Sequence, residues 1–213
     1  MSAKLFITGV TKGIGRACAE RFLADGWSVA GVARTVADVE KMRAGGLAEG
    51  WAADIANGDL SWLPERAYDV VLLNAAAYTP GTLLATGEDA FERLWATNVM
   101  ANHRLARRLL PPMLERGRGH LVVVGSTGTD HWKEHMTAYV ATKYALRGLF
   151  LGWQSELAGT PIRCTLVAPG ATLTSSWAGE TPPPGILAPE RVAEEVLRVV
   201  RDGVEGRVTI PSA

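Results

Sequence analysis

Apolar positions along this chain fall into two alternating kinds of segment. Short, nearly continuous apolar runs occupy 4–8, 27–33, 50–53, 68–73, 121–125, 162–167 and 206–210. Runs of this length without polar alternation suit strands covered on both faces, as in a parallel sheet. Between them lie longer segments with apolar residues three and four apart. The first carries Ile14, Ala17, Cys18, Phe22 and Leu23 and stops at Gly26. Such spacing predicts helices over 14–24, 36–44, 88–115, 138–157 and 190–202. The third is expected to break near Pro111-Pro112, because proline lacks an N–H and crowds the preceding turn.

Strands that alternate with helices imply right-handed crossovers and an α/β fold. The expected architecture is a doubly wound Rossmann-type domain: a mostly parallel sheet of about seven strands with helices on both faces. No repeat, low-complexity tract or long linker divides 1–213, so the chain reads as a single domain. The proline-rich segment 171–189 follows a strand end, where open α/β sheets hold their ligands, and reads as a lid or pocket wall.

Composition narrows the partners. The 213 residues include 22 basic and 22 acidic side chains, which gives no electrostatic reason to expect nucleic acid or an anionic membrane. No apolar run reaches about 18 residues and no leader pattern precedes the first strand, so a cytoplasmic protein is expected. Cys18 and Cys164 lie within apolar patterns and read as reduced, buried thiols.

Chemistry concentrates at the strand ends. The first turn reads Thr8-Gly-Val-Thr-Lys-Gly-Ile-Gly15. Gly9, Gly13 and Gly15 permit a tight turn, and a helix opening at Ile14 would present free N–H groups to a diphosphate, with Thr11 and Lys12 in the same loop. Tyr139 and Lys143 are four apart and share a helix face, so an ammonium sits near a phenol and favours its ionised form. Ser126 ends the fifth apolar run and could face that phenol.

Taken in order, these motifs resemble the short-chain dehydrogenase/reductase family over about residues 5–210. Thr8–Gly15 is similar to its glycine-rich cofactor turn, and Asp54 with Ile55 to its adenine contacts. Asn74-Ala75-Ala76 is similar to its Asn-Ala-Gly, with alanine for glycine. Asn98, Ser126, Tyr139 and Lys143 match its catalytic set, and Pro169-Gly170 with Thr172 its nicotinamide-side turn. The resemblance implies that Tyr139 exchanges a proton with a substrate oxygen and that Ser126 orients that oxygen. It implies that Lys143, together with an oxidised nicotinamide, lowers the Tyr139 pKa, that Lys143 holds the cofactor ribose, and that Asn98 holds a water linking Lys143 to solvent. Tyr139 and Lys143 therefore count among the cofactor contacts as well.

The second strand ends in Arg34 rather than a carboxylate, and Lys12 lies in the glycine turn. Two cations suited to a 2′-phosphate predict NADP(H) as cofactor. His131 and His135 lack a third metal ligand, so no metal is expected; with Trp132 they are expected to border the substrate pocket. Trp95 and Trp153 fall on helices, where core packing is the expected role of each; because such helices often carry subunit contacts in the resembling family, the resemblance also implies a homodimer or homotetramer. The short segment after Gly170 points to an open pocket or one completed by a partner subunit, and the end at Ala213 weakens the tetramer. The expected activity is an NADPH-dependent carbonyl reductase, or the reverse alcohol dehydrogenase, on a small or medium carbonyl or alcohol substrate. A reductase dedicated to one keto intermediate is the second reading. A non-catalytic NADP(H)-binding sensor or scaffold is the third, and the complete catalytic set argues against it.

Overall fold

The computed structural model of the chain describes residues 2–132, 134–178 and 181–212. Its seven strands are β1 (Lys4–Thr8), β2 (Ser28–Ala33), β3 (Glu49–Ala52), β4 (Val70–Leu73), β5 (Gly119–Val124), β6 (Ile162–Pro169) and β7 (Gly206–Ile210). They form one sheet in the order β3-β2-β1-β4-β5-β6-β7, with every neighbouring pair parallel. The Rossmann-type expectation holds. Chain order reverses between β1 and β4, and a crevice opens outside the carboxyl ends of those strands.

Side-chain alternation along the strands makes two cores. Phe6, Val71, Leu73, Leu121, Val123 and Leu166 face one way, against α4 (Ala101–Arg116) and α5 (Thr137–Glu156). Leu5, Ile7, Val70, Leu72, Val122 and Val167 face the other way, against α1 (Gly13–Ala24) and α6 (Pro189–Asp202). The remaining helices are α2 (Val36–Ala44) and α3 (Glu88–Trp95). Cys18 belongs to one core and Cys164 to the other, so the sheet separates them; both are free, and burial pushes both thiols up to about 12. No described helix is long and apolar enough to cross a membrane.

The long third helix breaks elsewhere than expected. A π-helical turn at Ala96–Met100 separates α3 from α4, while Pro111 and Pro112 lie within α4. Pro111 is exposed, so a carbonyl that loses its partner there is not sealed in the core. α4 ends at Arg116, where Gly117 takes the left-handed conformation (φ 72°) that closes helices readily. Asn98, one of the predicted site residues, lies at the middle of that π turn.

Candidate active site

The turn between β1 and α1 is built by steric necessity. Gly9 has φ 71° and Gly13 φ 51°, conformations costly for other residues. A Cβ on Gly15 would lie 2.1 Å from the Gly9 carbonyl oxygen, so Gly15 lets the helix sit directly behind the turn. Thr8 laces the turn to β4: its Oγ1 accepts from the Asn74 and Ala75 amides, each at 2.9 Å. Asn74 Nδ2 donates back to the Thr8 carbonyl at 2.9 Å. Most of the asparagine side chain thus supports the turn. No side chain caps α1 and no acid stands in its first turn, so its leading N–H groups are left for an anion. That cradle suits a diphosphate.

Toward the tip of β2 the cleft gathers charge. Lys12 Nζ lies 3.4 Å from Asp38 of α2. Arg34 is exposed and has no ion-pair partner among the described residues. Asp54 accepts from the Ala56 amide at 3.0 Å, which caps the short turn carrying Ile55.

The other end is drier. α5 carries Tyr139 and Lys143 on one face; Lys143 is 3% exposed and donates from Nζ to the Val124 carbonyl at 3.1 Å. The ammonium lies 5.7 Å from the centre of the Tyr139 ring. Tyr78 packs edge-on against the same ring, with centroids 5.1 Å apart. Ser126 Oγ accepts from the Gly128 amide at 3.0 Å, which leaves its own O–H to donate.

Burial dominates both titrating groups. It pushes the Tyr139 phenol up to about 12, with a Ser126 hydrogen bond offsetting part of the effect and Tyr78 adding to it. Burial also pulls Lys143 down to about 8. In the chain by itself, desolvation rather than Lys143 sets the direction of the Tyr139 shift. Stripping water from a phenolate disfavours it, and the nearby ammonium is hydrogen-bonded to a carbonyl and itself partly desolvated.

Asn98 is held by the protein itself. Its Oδ1 accepts from the Ala77 amide at 2.7 Å, and its Nδ2 donates to the Ala77 carbonyl and to Thr142 Oγ1. Thr142 in turn donates to the Tyr139 carbonyl at 2.7 Å. The asparagine thus pins the loop after β4 to the helix that carries Tyr139. No hydrogen bond joins it to Lys143 among the described residues.

One cleft of about 770 Å³ is lined by Gly9, Thr11, Lys12, Gly13, Ile14, Arg34, Asp54, Ile55, Asn74, Ala75, Ala76, Ser126, Tyr139, Lys143, Pro169, Gly170 and Thr172. Gly15 and Asn98 stand behind that lining. His131, Trp132 and His135 do not reach the cleft, contrary to expectation. Trp132 stacks on Tyr144 on the outside of α5, and the His135 carbonyl instead holds the Gly81 amide at 2.7 Å. Tyr78 and Met136 line the wall instead. Sequence reasoning misses Thr174 as well: it lines the cleft, and a Cβ on Gly13 would meet its methyl at 2.8 Å. A second threonine two positions after Thr172 is the available signal. Asp38 reads from sequence only as a helix residue, although it too faces the cleft. Within the proline-rich segment, the Leu173 amide donates to the Leu187 carbonyl and the Leu187 amide to the Ala171 carbonyl, each at 2.8 Å, which ties 171–173 to Leu187. Gly179 and Glu180 of that segment lie outside the described residues.

Known proteins share this sequence pattern and fold. The sequence profile described as short chain dehydrogenase matches residues 3–183. The serine 3-dehydrogenase of Rhizobium radiobacter is 32% identical over 180 residues, which cover 80% of this chain and 72% of that protein. A short-chain dehydrogenase from Sphingobium yanoikuyae in complex with NADPH superposes with a TM-score of 0.89 at 28% identity, covering 97% of this chain and 87% of that one. The fold is shared too by a 3-ketoacyl-(acyl-carrier-protein) reductase from Brucella melitensis complexed with NADH. Its TM-score is 0.87 at 23% identity, over 99% and 97% of the two chains.

Proposed function

This chain belongs to the short-chain dehydrogenase family, and from that premise we propose that it is an NADP(H)-dependent oxidoreductase interconverting a small or medium carbonyl compound and its alcohol. A nicotinamide cofactor, when bound, would supply or accept the hydride. The amides opening α1 would hold its diphosphate, and Lys12 and Arg34 a 2′-phosphate. Asp54 and Ile55 would border the adenine. Ala75, Ala76, Pro169, Gly170, Thr172 and Thr174 would line the nicotinamide half, with Lys143 toward its ribose.

Tyr139 acts as the acid in reduction. Its Oη gives a proton to the substrate oxygen as that oxygen gains negative charge, and takes the proton back in the oxidative direction. Burial keeps the phenol protonated at neutral pH, and Lys143, still mostly protonated at pH 7, steadies the phenolate left when the proton is given up. Ser126 Oγ, with its lone pair engaged by Gly128, donates to the same oxygen, and that bond strengthens as charge develops. Asn98 acts through position, holding the Tyr139 helix against the loop after β4.

The observation that carries this reading is the meeting of Ser126, Tyr139 and Lys143 in the same cleft as the uncapped glycine turn. The bound NADPH of the Sphingobium relative supports the choice of cofactor. The free, buried cysteines fit a cytoplasmic setting. Exposed Phe91 and Trp95 on α3 and Leu151 on α5 fit a homodimer or homotetramer, which sedimentation would measure. The test of function is a panel of aldehydes, ketones and quinones supplied with NADPH or NADH. Oxidation of NADPH by at least one compound, with higher kcat/KM than with NADH, is expected. NADPH binding without turnover across the panel would favour a sensor or scaffold instead.

A further inference from the structure

Lys12 and Asp38 form an ion pair across the mouth of the cleft. Lys12 immediately precedes α1 and Asp38 stands in the first turn of α2, so the pair spans the tips of β1 and β2. Both line the cleft beside Arg34 and Thr35. The Lys12 side chain is 65% exposed and that of Asp38 27%, so the carboxylate is the more fixed partner. An ammonium is a compact charge, and Asp38 already occupies part of its coordination. A 2′-phosphate entering between Lys12 and Arg34 would have to share Lys12 with Asp38, whose like charge stands 3.4 Å from that ammonium. A ribose without that phosphate carries hydroxyls instead, for which a carboxylate is a good acceptor.

We propose that Asp38 is a specificity-determining residue that holds Lys12 back from a 2′-phosphate, so that the protein uses NADPH and NADH with only a modest preference between them. The proposal rests on the reading of this cleft as the cofactor site. Asp38 would otherwise be an ordinary first-turn acid that favours the dipole of α2. That role changes the melting temperature and leaves ligand selectivity alone, so the two accounts separate experimentally.

The experiment titrates 2′,5′-ADP and 5′-AMP calorimetrically into wild type, Asp38→Asn, Lys12→Ala and the double variant, at low and high salt. In Asp38→Asn the affinity for 2′,5′-ADP should rise about threefold to fivefold, the range of an exposed ion pair, while that for 5′-AMP stays level or falls. The gain should shrink at high salt and vanish in the Lys12→Ala background. An unchanged 2′,5′-ADP affinity overturns the proposal, as does a gain of the same size without Lys12. If wild type fails to favour 2′,5′-ADP over 5′-AMP, the NADP(H) assignment fails by itself. Asp38→Asn then decides this proposal separately: a newly created preference upholds it, and no preference in any variant removes it too.

Discussion

The two ends of the cleft handle charge in opposite ways. At the β2 end, Lys12, Arg34, Asp38 and Asp54 sit on strand tips and helix starts, in or near water, and balance one another as two cations and two anions. At the α5 end a single ammonium, Lys143, is 3% exposed, with a carbonyl for company and no ion-pair partner among the described residues. Water screens the first group, so each contact there is worth about 1 kcal/mol or less. Burial acts on the second, moving Lys143 from 10.5 to about 8 and Tyr139 from 10.0 to about 12. A tenfold change in a protonation equilibrium corresponds to about 1.4 kcal/mol, so the buried pair departs much further from its behaviour in water than the screened one. On the proposed function, one end would recognise a ligand through many weak contacts. The other keeps a costly arrangement, and the proton chemistry is proposed there.

The largest effect should follow from removing the phenol. Tyr139→Phe keeps the ring against Tyr78 and deletes only the Oη. Turnover should fall about 10²- to 10⁴-fold, the usual worth of a positioned acid. Affinity for NADPH, read from the β2 end and the glycine turn, should stay within about twofold. A variant that retained most of its rate would collapse the contrast between the two ends.

Lys143 offers a test without turnover. Its folded pKa is lowered, so the native state disfavours the proton while the unfolded chain keeps it up to 10.5. Below pH 8 the buried ammonium is a full cost, and between about 8 and 10.5 stability should climb as the native state sheds the proton. Lys143→Met should therefore be more stable than wild type at pH 7, by up to about 3 kcal/mol. The gap should narrow as pH rises past 8. Urea melts at pH 7 and pH 9.5 measure it. A gap independent of pH would mean that Lys143 is not held as described.

Much of the fold is legible in the sequence, and the rest escapes it for identifiable reasons. The strand runs and the glycine turn are short-range patterns, and the turn survives because Gly9, Gly13 and Gly15 each answer a local demand. The Tyr139–Lys143 spacing is likewise local. The direction in which the Tyr139 pKa moves is not, since desolvation depends on what the fold stacks around the ring, Tyr78 included. Proline propensity misplaces the helix break, because an exposed Pro111 is tolerated while the π turn answers to Asn98 and its bonds to Ala77 and Thr142. The Lys12–Asp38 pair joins two helix starts 26 residues apart in sequence, and no periodicity reports such a meeting.

Between the two ends, Gly15 tests the turn they share. Its Cβ would lie 2.1 Å from the Gly9 oxygen and 2.5 Å from Asn74 Nδ2, so Gly15→Ala must push the turn off β4. A loss of about 1–3 kcal/mol in stability is expected, with NADPH affinity down by about tenfold or more. Gly117→Ala makes the control: it meets nothing within 4 Å and suffers only from its left-handed backbone, about 1 kcal/mol, with NADPH binding untouched. Equal effects from the two would deny that close packing behind the turn matters.

The smallest effect belongs to Arg34, and its form is more telling than its size. The side chain is exposed, so Arg34→Ala should leave stability within about 0.5 kcal/mol. Losing one screened contact to a 2′-phosphate should weaken NADPH about threefold to fivefold and leave NADH nearly unchanged. The loss should be greatest at low ionic strength and fade as the Debye length drops below the span of the contact. Calorimetric titration of both cofactors across a salt series reads all three. If NADH weakens in step with NADPH, Arg34 serves the shape of the site rather than its charge. If the deficit persists at high salt, the β2 end is drier than its exposure implies, and the two ends are less different than their solvent contact suggests.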